Sequence, residues 1–377
     1  MKILRMAMVI GVLSLAAGVP AAAQDDYSDL NIFGYLQAAY IEIPASFLGP
    51  RSTTFFLQQA NIMGAKEFDS HFSAFLNLQF TNGFNSKLGW GNMNLEEGWA
   101  KYSYSHALNV KAGFLLPSFN SLLQVRNRTP LLPYILRPLV YEPLMTDRLN
   151  IDAFLPTHAN LEVYGSVPVL PDVDVEYAAF VGNSETSYII SGQGAGFQVS
   201  GMDTSTAKLW GGRIGLSTHW IRGGVSMTTD MENQNTFGMG SMRRYRYGAD
   251  LYVRVANVSF DGEVLFVRPS MSDRQKTVFA MVGMFNPMIG KDLDRTFLYG
   301  TLLWDISDAV YIYGSGSSLT VNDFQGMSEG VKEWTVGGGW RPLESIVVKA
   351  QYVVITCPSP YFPLDLGLPI LAISVMF

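Results

Sequence analysis

Leu371-Ala372-Ile373-Ser374-Val375-Met376-Phe377 is the stretch that decides the fold. On an extended chain Leu371, Ile373, Val375 and Phe377 share one face, and Ala372, Ser374 and Met376 share the other. An unbroken apolar strand face at a sheet edge is an aggregation hazard in water. A barrel closing in lipid removes the edge and turns that face to hydrocarbon. The competing reading of this stretch alone is a buried strand of a soluble β-protein.

The opposite end of the chain reads as an export signal. Lys2 and Arg5 precede an apolar run from Met6 to about Ala17, and Ala21-Ala22-Ala23 stand before polar Gln24-Asp25-Asp26. That is the charged, apolar and small-residue succession of a secretory signal peptide, with cleavage expected after Ala23. The apolar run is too short for a stable helical anchor. Residues 1–23 are therefore expected as signal and 24–377 as a single β-barrel domain, because no repeat, low-complexity linker or boundary divides the remainder. Loss of Lys2 and Arg5 from the 26 basic residues leaves 24 against 32 acidic, a net charge of −8. No later run of about 18 apolar residues offers a helical span. Cys357 is the one cysteine, which excludes an intramolecular disulfide. Charged residues make up 15% of the chain and aromatics 13%. Against the usual ~25% charged, that balance suits a protein with one face in lipid.

The interior of the sequence alternates with a period of two. Phe72, Ala74, Leu76, Leu78 and Phe80 interleave with Ser73, Phe75, Asn77, Gln79 and Thr81. Tyr245, Tyr247, Ala249, Leu251, Val253 and Val255 share a face opposite Arg244, Arg246, Asp250, Tyr252 and Arg254. After a turn at Ala256-Asn257, Val258, Phe260, Val264 and Phe266 lie opposite Ser259, Asp261 and Glu263. Periodicity alone leaves open which face is outside. Length decides: these runs approach the ~9–11 residues of a tilted membrane strand and exceed the ~5–6 of ordinary strands.

Strand starts are predicted near Asn31, Phe55, His71, Leu95, Leu108, Asn160, Val173, Lys208, Ile221, Arg244, Val258, Thr296, Ala309, Val331, Ile346 and Leu368. Sixteen is an even number, as single-chain bacterial barrels have, with 14 and 18 as neighbouring counts. Short turns at Phe68-Asp69, Ser105–Ala107, Leu170–Asp172, Ser217–Trp220, Ala256-Asn257, Ser307-Asp308 and Pro342–Ser345 alternate with long loops. That is the pattern of periplasmic turns and extracellular loops. Tyr102 and Tyr104 near one rim, and Tyr245 and Tyr247 near the other, occupy girdle positions, although Tyr also favours strands in general.

The longest connection, Pro117 to about Ala159, is the third long loop. Pro130, Pro133, Pro138 and Pro143 stiffen it, and Leu131-Leu132 and Tyr134-Ile135-Leu136 make it too apolar for disorder. The inside wall of the barrel is the nearest surface for it to pack on.

The terminal Phe377 resembles the closing strand of bacterial outer-membrane barrels. Sixteen strands with a long third loop resemble the general porins and the phosphate-selective porin family. The most similar stretch is the hairpin Leu95-Glu96-Glu97-Gly98-Trp99-Ala100-Lys101-Tyr102 to Leu108-Asn109-Val110-Lys111-Ala112-Gly113-Phe114-Leu115-Leu116-Pro117, with its Gly-x-x-x-Pro step before the loop. The resemblance implies an all-β transmembrane antiparallel barrel of about 16 strands, with the third extracellular loop folded into the lumen. It also implies passive diffusion of small hydrophilic solutes, a homotrimer, and an outer-membrane setting in contact with lipid and lipopolysaccharide. No cofactor follows from it.

In that family the loop narrows the pore and its charges help to choose the solute. The matching residues are Arg126, Arg128, Arg137 and Arg148, opposed by Glu142 and Asp147. Lys101, Lys111, Arg213, Arg222, Arg244, Arg246 and Arg254 fall on the inward phase. Arginine suits bidentate contacts with carboxylate or phosphate, and charged rings set pore selectivity. A mild anion preference at the constriction is one expectation. The other is that inward arginines are spent on inward Asp174, Glu176, Asp250, Asp261 and Glu263, making salt-bridged walls. The lysine-poor, acidic composition argues against phosphate selectivity.

Other classes find less support. His71, His106 and His219 fall at predicted turns, and His158 stands near Asp152 without a G-x-S-x-G or comparable motif. The chain is therefore read as no enzyme. Cys357 is placed in the last long loop, and no Cys/His spacing suggests zinc. No phosphate-loop fingerprint and no basic patch for nucleic acid occur. Two alternatives remain. One is a plugged structural or receptor-like barrel using the loops Asn183–Thr206 and Pro269–Asp294. The other is a hydrophobic-solute transporter, suggested by apolar Thr277–Phe285.

Overall fold

The computed structural model describes residues 30–45, 51–81, 91–142, 154–156, 158–184, 207–234, 240–270, 272–274, 277, 294–321, 330–357 and 364–377. Sixteen strands run β1 (Asn31–Ile43), β2 (Ser52–Glu67), β3 (Phe72–Thr81), β4 (Asn92–Ser105), β5 (Leu108–Leu115), β6 (Ala159–Leu170), β7 (Val173–Asn183) and β8 (Lys208–Thr218). They continue as β9 (Ile221–Gln234), β10 (Gly240–Val255), β11 (Val258–Ser270), β12 (Arg295–Asp305), β13 (Val310–Val321), β14 (Val331–Leu343), β15 (Ile346–Cys357) and β16 (Leu364–Met376). Each pairs antiparallel with its sequence neighbour, and β1 pairs with β16 to close the barrel.

Closure uses the stretch that suggested it. Tyr35 pairs with Met376, Gln37 with Ser374 and Ala39 with Ala372. The Gly34 and Phe377 backbones exchange both of their hydrogen bonds, at 2.8 and 3.0 Å. Leu371 is 56% exposed on the outside, whereas Ser374 is 1% exposed on the inside. The same inversion runs round the wall. Ile214, Val225, Phe266, Leu302 and Trp334 are exposed outward, while Asn77, Asp250, Glu263 and Gln351 are buried inward. In water this distribution would be upside down; in lipid it satisfies both solvents.

Local chemistry terminates the strands at the short-turn end. Asp69 accepts from the amides of His71 and Phe72 at 2.7 and 2.6 Å, and those bonds hold its carboxyl below the usual range. Thr218 Oγ1 does the same for Trp220 and Ile221. Asp172 and Ala256 adopt positive φ, of 63° and 51°, in two tight turns. Gly113 has φ 139°, and a Cβ there would stand 2.3 Å from the Gly98 carbonyl oxygen, so glycine is needed where the β5–β6 register shifts.

Two sequence placements change. Cys357 is the last residue of β15 and is buried, because the inward phase of β15 runs on to the rim. Strands β7 and β11 extend to Asn183 and Ser270, so both functional-loop candidates begin later than expected. Residues 1–23 and nearly all of Thr277–Phe285 lie outside the described residues.

Candidate functional site

The third loop enters the lumen from the end opposite the short turns. Its described part holds helix α1 (Ser121–Val125) and two 3-10 turns, Arg126–Leu131 and Leu139–Tyr141. Most of its apolar side chains are buried, with Leu131 exposed and Val125 and Leu132 half-buried. Phe119, Leu123, Ile135, Leu139 and Phe154 join Leu209, Leu265, Phe297, Leu319, Val353 and Ile355 of the wall in one core. Many inward wall positions at this height are therefore apolar, and burying them against the loop stabilises it by about 25 cal/mol per Å² removed from water.

A loop has no ladder partners for its own amides and carbonyls, so the wall supplies them. Lys349 of β15, 2% exposed, is the largest such support. Its ammonium donates to the carbonyls of Thr129, Pro130, Leu132 and Tyr134 at 3.2, 3.0, 2.6 and 3.2 Å, and to Gln37 Oε1 at 3.0 Å. Gln351 Oε1 accepts from the amides of Ile135 and Leu136 at 2.6 and 2.9 Å, and its Nε2 donates to the Leu136 carbonyl at 3.0 Å. On β11 Glu263 accepts from the Leu122 amide (2.7 Å), Ser121 Oγ (3.1 Å), Asn120 Nδ2 (3.3 Å) and the Tyr141 hydroxyl. Glu162 takes the Ser118 amide and hydroxyl at 2.8 and 3.1 Å. Tyr35 and Gln59 both donate to the Asn127 carbonyl, Ser226 donates to that of Phe119, and Tyr134 donates to Thr301. Glu96 of β4 accepts from Asn127 Nδ2 and Tyr311 of β13 donates to the Pro133 carbonyl, so among the described residues anchors come from β1, β2, β4, β6, β9, β11, β12, β13 and β15, on all sides of the barrel.

The expected selectivity residues separate into two groups. Arg137 lies inside the loop, 3.8 Å from Glu142 as an ion pair, and donates to the Arg126 carbonyl at 2.5 Å. Burial pulls its guanidinium below the ordinary value, opposed by Glu142. Arg213 donates to Asp250 at 2.7 Å. Arg246, 0% exposed, and Arg244 share Asp230, at 3.1 Å and at 2.9 and 2.5 Å. The Arg213–Asp250 pair and the Arg244/Arg246–Asp230 group are wall structure, and Arg137–Glu142 is internal to the loop. The second group keeps water contact. Arg128 is exposed on the loop, Arg126 is half-buried, and half-buried Lys101 and Lys111 are cross-strand neighbours. The Lys111 ammonium lies 5.0 Å from the Trp99 ring and 4.6 Å from that of Tyr164. Arg254 pairs with Asp305 at 3.6 Å near the short-turn end, and Arg222 with Glu176 at 3.2 Å. Asp147, Arg148 and Asp152 lie outside the described residues. His158 stacks on Phe114 with centroids 3.7 Å apart, and burial, reinforced by Arg126, pushes its pKa down to about 3.

Sequence reasoning missed Lys349, Gln351, Arg341 and Asp305. The inward phase of Lys349 and Gln351, between outward Val348, Ala350 and Tyr352, was the available signal. Below the loop, at the short-turn end, lies a cavity of about 530 Å³. Loop residues Leu122, Val125, Leu132 and Tyr134 form one side of it, and Arg222, Arg254, Asp305 and Arg341 line its mouth.

With that geometry in hand, the comparisons are consistent. No protein-family model and no curated protein matches the chain. Solved structures do. The outer membrane channel DcaP of Acinetobacter baumannii aligns with TM-score 0.63 at 9% identity, over 94% of this chain and 99% of its own. The anion-selective porin from Comamonas acidovorans aligns with TM-score 0.61 at 10% identity, over 93% and 100%. OprB of Pseudomonas putida gives 0.60 at 13% identity, over 92% and 94%. A trimer form of OmpT, an outer membrane protein of Vibrio cholerae, gives 0.55 at 8% identity, over 93% and 100%. At such identities the likeness is one of fold: the chain has the sixteen-stranded barrel of outer-membrane porins.

Proposed function

We propose that this protein is an outer-membrane channel for passive diffusion of small hydrophilic solutes, with its third loop as the constriction. The supporting observation is the lumen itself. Charged and polar side chains line it at the short-turn end around a cavity of about 530 Å³, while the outer wall is apolar. In this reading solutes pass the loop along the β4–β6 wall, where Arg128, Lys101 and Lys111 keep water contact. Glu97 and Glu162 share that wall, so any anion preference is mild. Export with cleavage between Ala23 and Gln24, insertion among lipid and lipopolysaccharide, and trimer assembly belong to the same reading.

A second reading rests on the apolar core that the loop forms across the lumen. It is a plugged barrel whose long loops bind partners. Single-channel recording of purified protein in a planar bilayer under a salt gradient separates the two. Stepwise openings with a small anion-directed reversal potential are expected. A silent bilayer from folded protein would establish the plug, and a cation-directed potential would remove the anion preference.

A further inference from the structure

The cavity beneath the third loop has two chemically distinct sides, one of them the underside of the loop itself. At its mouth two guanidiniums share one carboxylate. Arg254 Nη2 lies 3.6 Å from Asp305 Oδ2, and Arg341 Nη1 lies 3.5 Å from Asp305 Oδ1. Both contacts are long for hydrogen bonds. The arginine side chains remain 55% and 36% exposed, so each keeps N–H donors open to water. Arg341 is held in place by the Tyr311 ring, 4.5 Å from its guanidinium carbon, and by the Asp308 carbonyl at 3.2 Å. Over the whole lining Arg222, Arg254 and Arg341 face Asp250, Asp261 and Asp305, so the formal charges balance, and an anion would be drawn by the local Arg254–Arg341 fork, whose donors Asp305 uses only in part. Deeper in, Leu303 of the wall meets Val125, Leu132 and Tyr134 of the loop. A forked cation pair over an apolar recess, within about 530 Å³, has the makeup of a small-molecule site.

We propose that this vestibule binds a small organic anion: a carboxylate carrying an apolar body of several carbons. The carboxylate bridges Arg254 and Arg341 in competition with Asp305, and the apolar body lies in the recess under the loop. A bare inorganic anion would use only the arginines, and an uncharged apolar molecule only the recess. The inference deepens the channel reading, because it names a solute class that pauses at the inner mouth. Its test does not depend on conduction, because binding is measured at equilibrium.

The experiment is isothermal titration of the folded barrel in detergent micelles with hexanoate, against a micelle blank, with acetate and 1-hexanol as controls. Hexanoate should bind at least about tenfold more tightly than acetate, since each buried CH₂ contributes ~0.8 kcal/mol. R254Q/R341Q should weaken hexanoate by about tenfold or more, the scale of one lost charge-assisted contact. D305N should strengthen it, because the competing carboxylate is gone, an outcome that a purely structural Asp305 would not produce. Equal affinities for acetate and hexanoate would overturn the proposal, and so would unchanged binding in R254Q/R341Q. If that double variant fails to fold, D305N decides: weaker or unchanged binding rejects the site. A silent bilayer together with intact hexanoate binding would reject the channel and keep the site. Conduction without hexanoate binding would do the reverse.

Discussion

Replacing Lys349 with methionine tests whether the third loop is held by its cage of carbonyls. Methionine nearly matches the volume of the lysine stem, so the cavity contribution is small. What disappears is one ammonium whose three N–H donors are shared among five oxygens at 2.6–3.2 Å. Gln37 Oε1 retains Ser374 Oγ at 2.6 Å, so the loss falls on the four loop carbonyls. A buried acceptor left without a partner costs about 1–3 kcal/mol, and water entering beside the shorter side chain rescues some of them. With two left unsatisfied, the closed loop loses about 3 kcal/mol, which is roughly 150-fold in its opening equilibrium. Hydrogen exchange of the Leu132, Ile135 and Leu136 amides reads that opening directly. Cys357, buried in the same core, reports it independently through maleimide labelling. If those amides and Cys357 react at wild-type rates in K349M, the cage is not what holds the loop.

Three further outcomes follow from the same geometry. Glu263→Gln keeps an acceptor for the Leu122 amide and should be mild, whereas Glu263→Ala leaves that amide bare at about 1–3 kcal/mol; equal thermal stability of the two variants would contradict the anchor. His158 should stay neutral until about pH 3, as an NMR titration of its ring would record. Because that value lies below the ~6.5 of an open chain, the displaced loop takes up the proton first; packing here is intact above pH 6.5 and loses up to ~1.4 kcal/mol per unit as pH falls toward 3. His158→Phe should flatten that acid dependence in proteolysis of the loop, and an unchanged slope would count against it. Gly34→Val places a Cβ 2.4 Å from the Asn61 carbonyl and 2.7 Å from the Phe377 ring, so barrel closure should weaken; the folded, heat-modifiable band on gels should disappear at a lower temperature than in wild type.

The wall was legible because lipid imposes a simple rule on it. Strands β1, β5, β7, β8, β9, β11, β14 and β15 begin at the residues where the alternation begins. Larger offsets fall at long-loop ends, as at Gly240 and Leu364, where pairing extends beyond the apolar alternation. That inward Arg213 would be spent on inward Asp250 was likewise one of the two sequence expectations. Asp230 as the shared partner of Arg244 and Arg246 was not, since cross-strand register is set by turn geometry and not by composition. The loop's supports were out of reach for a related reason. Lys349 and its carbonyl partners lie about 215 to 220 residues apart, and only barrel closure brings β15 next to β1 through β16.

The kind of side chain chosen for these supports follows from the dryness of the loop's surroundings. In an open pore, water could serve the carbonyls of Thr129, Pro130, Leu132 and Tyr134, and no dedicated donor would be needed. Here proline at 130 and 133 removes two amides, and the 3-10 turns leave carbonyls with no helical partner. Thr129, Pro130 and Tyr134 are buried, so their carbonyl oxygens would carry a desolvation penalty without a donor. A single ammonium on a long, straight stem lies within reach of all four and shares three N–H donors among them, where a hydroxyl has one donor and an amide two. The third loop is therefore held from two separate stretches of the wall, by Lys349 on β15 and by Glu263 on β11, each serving loop groups that the loop's own backbone leaves without partners.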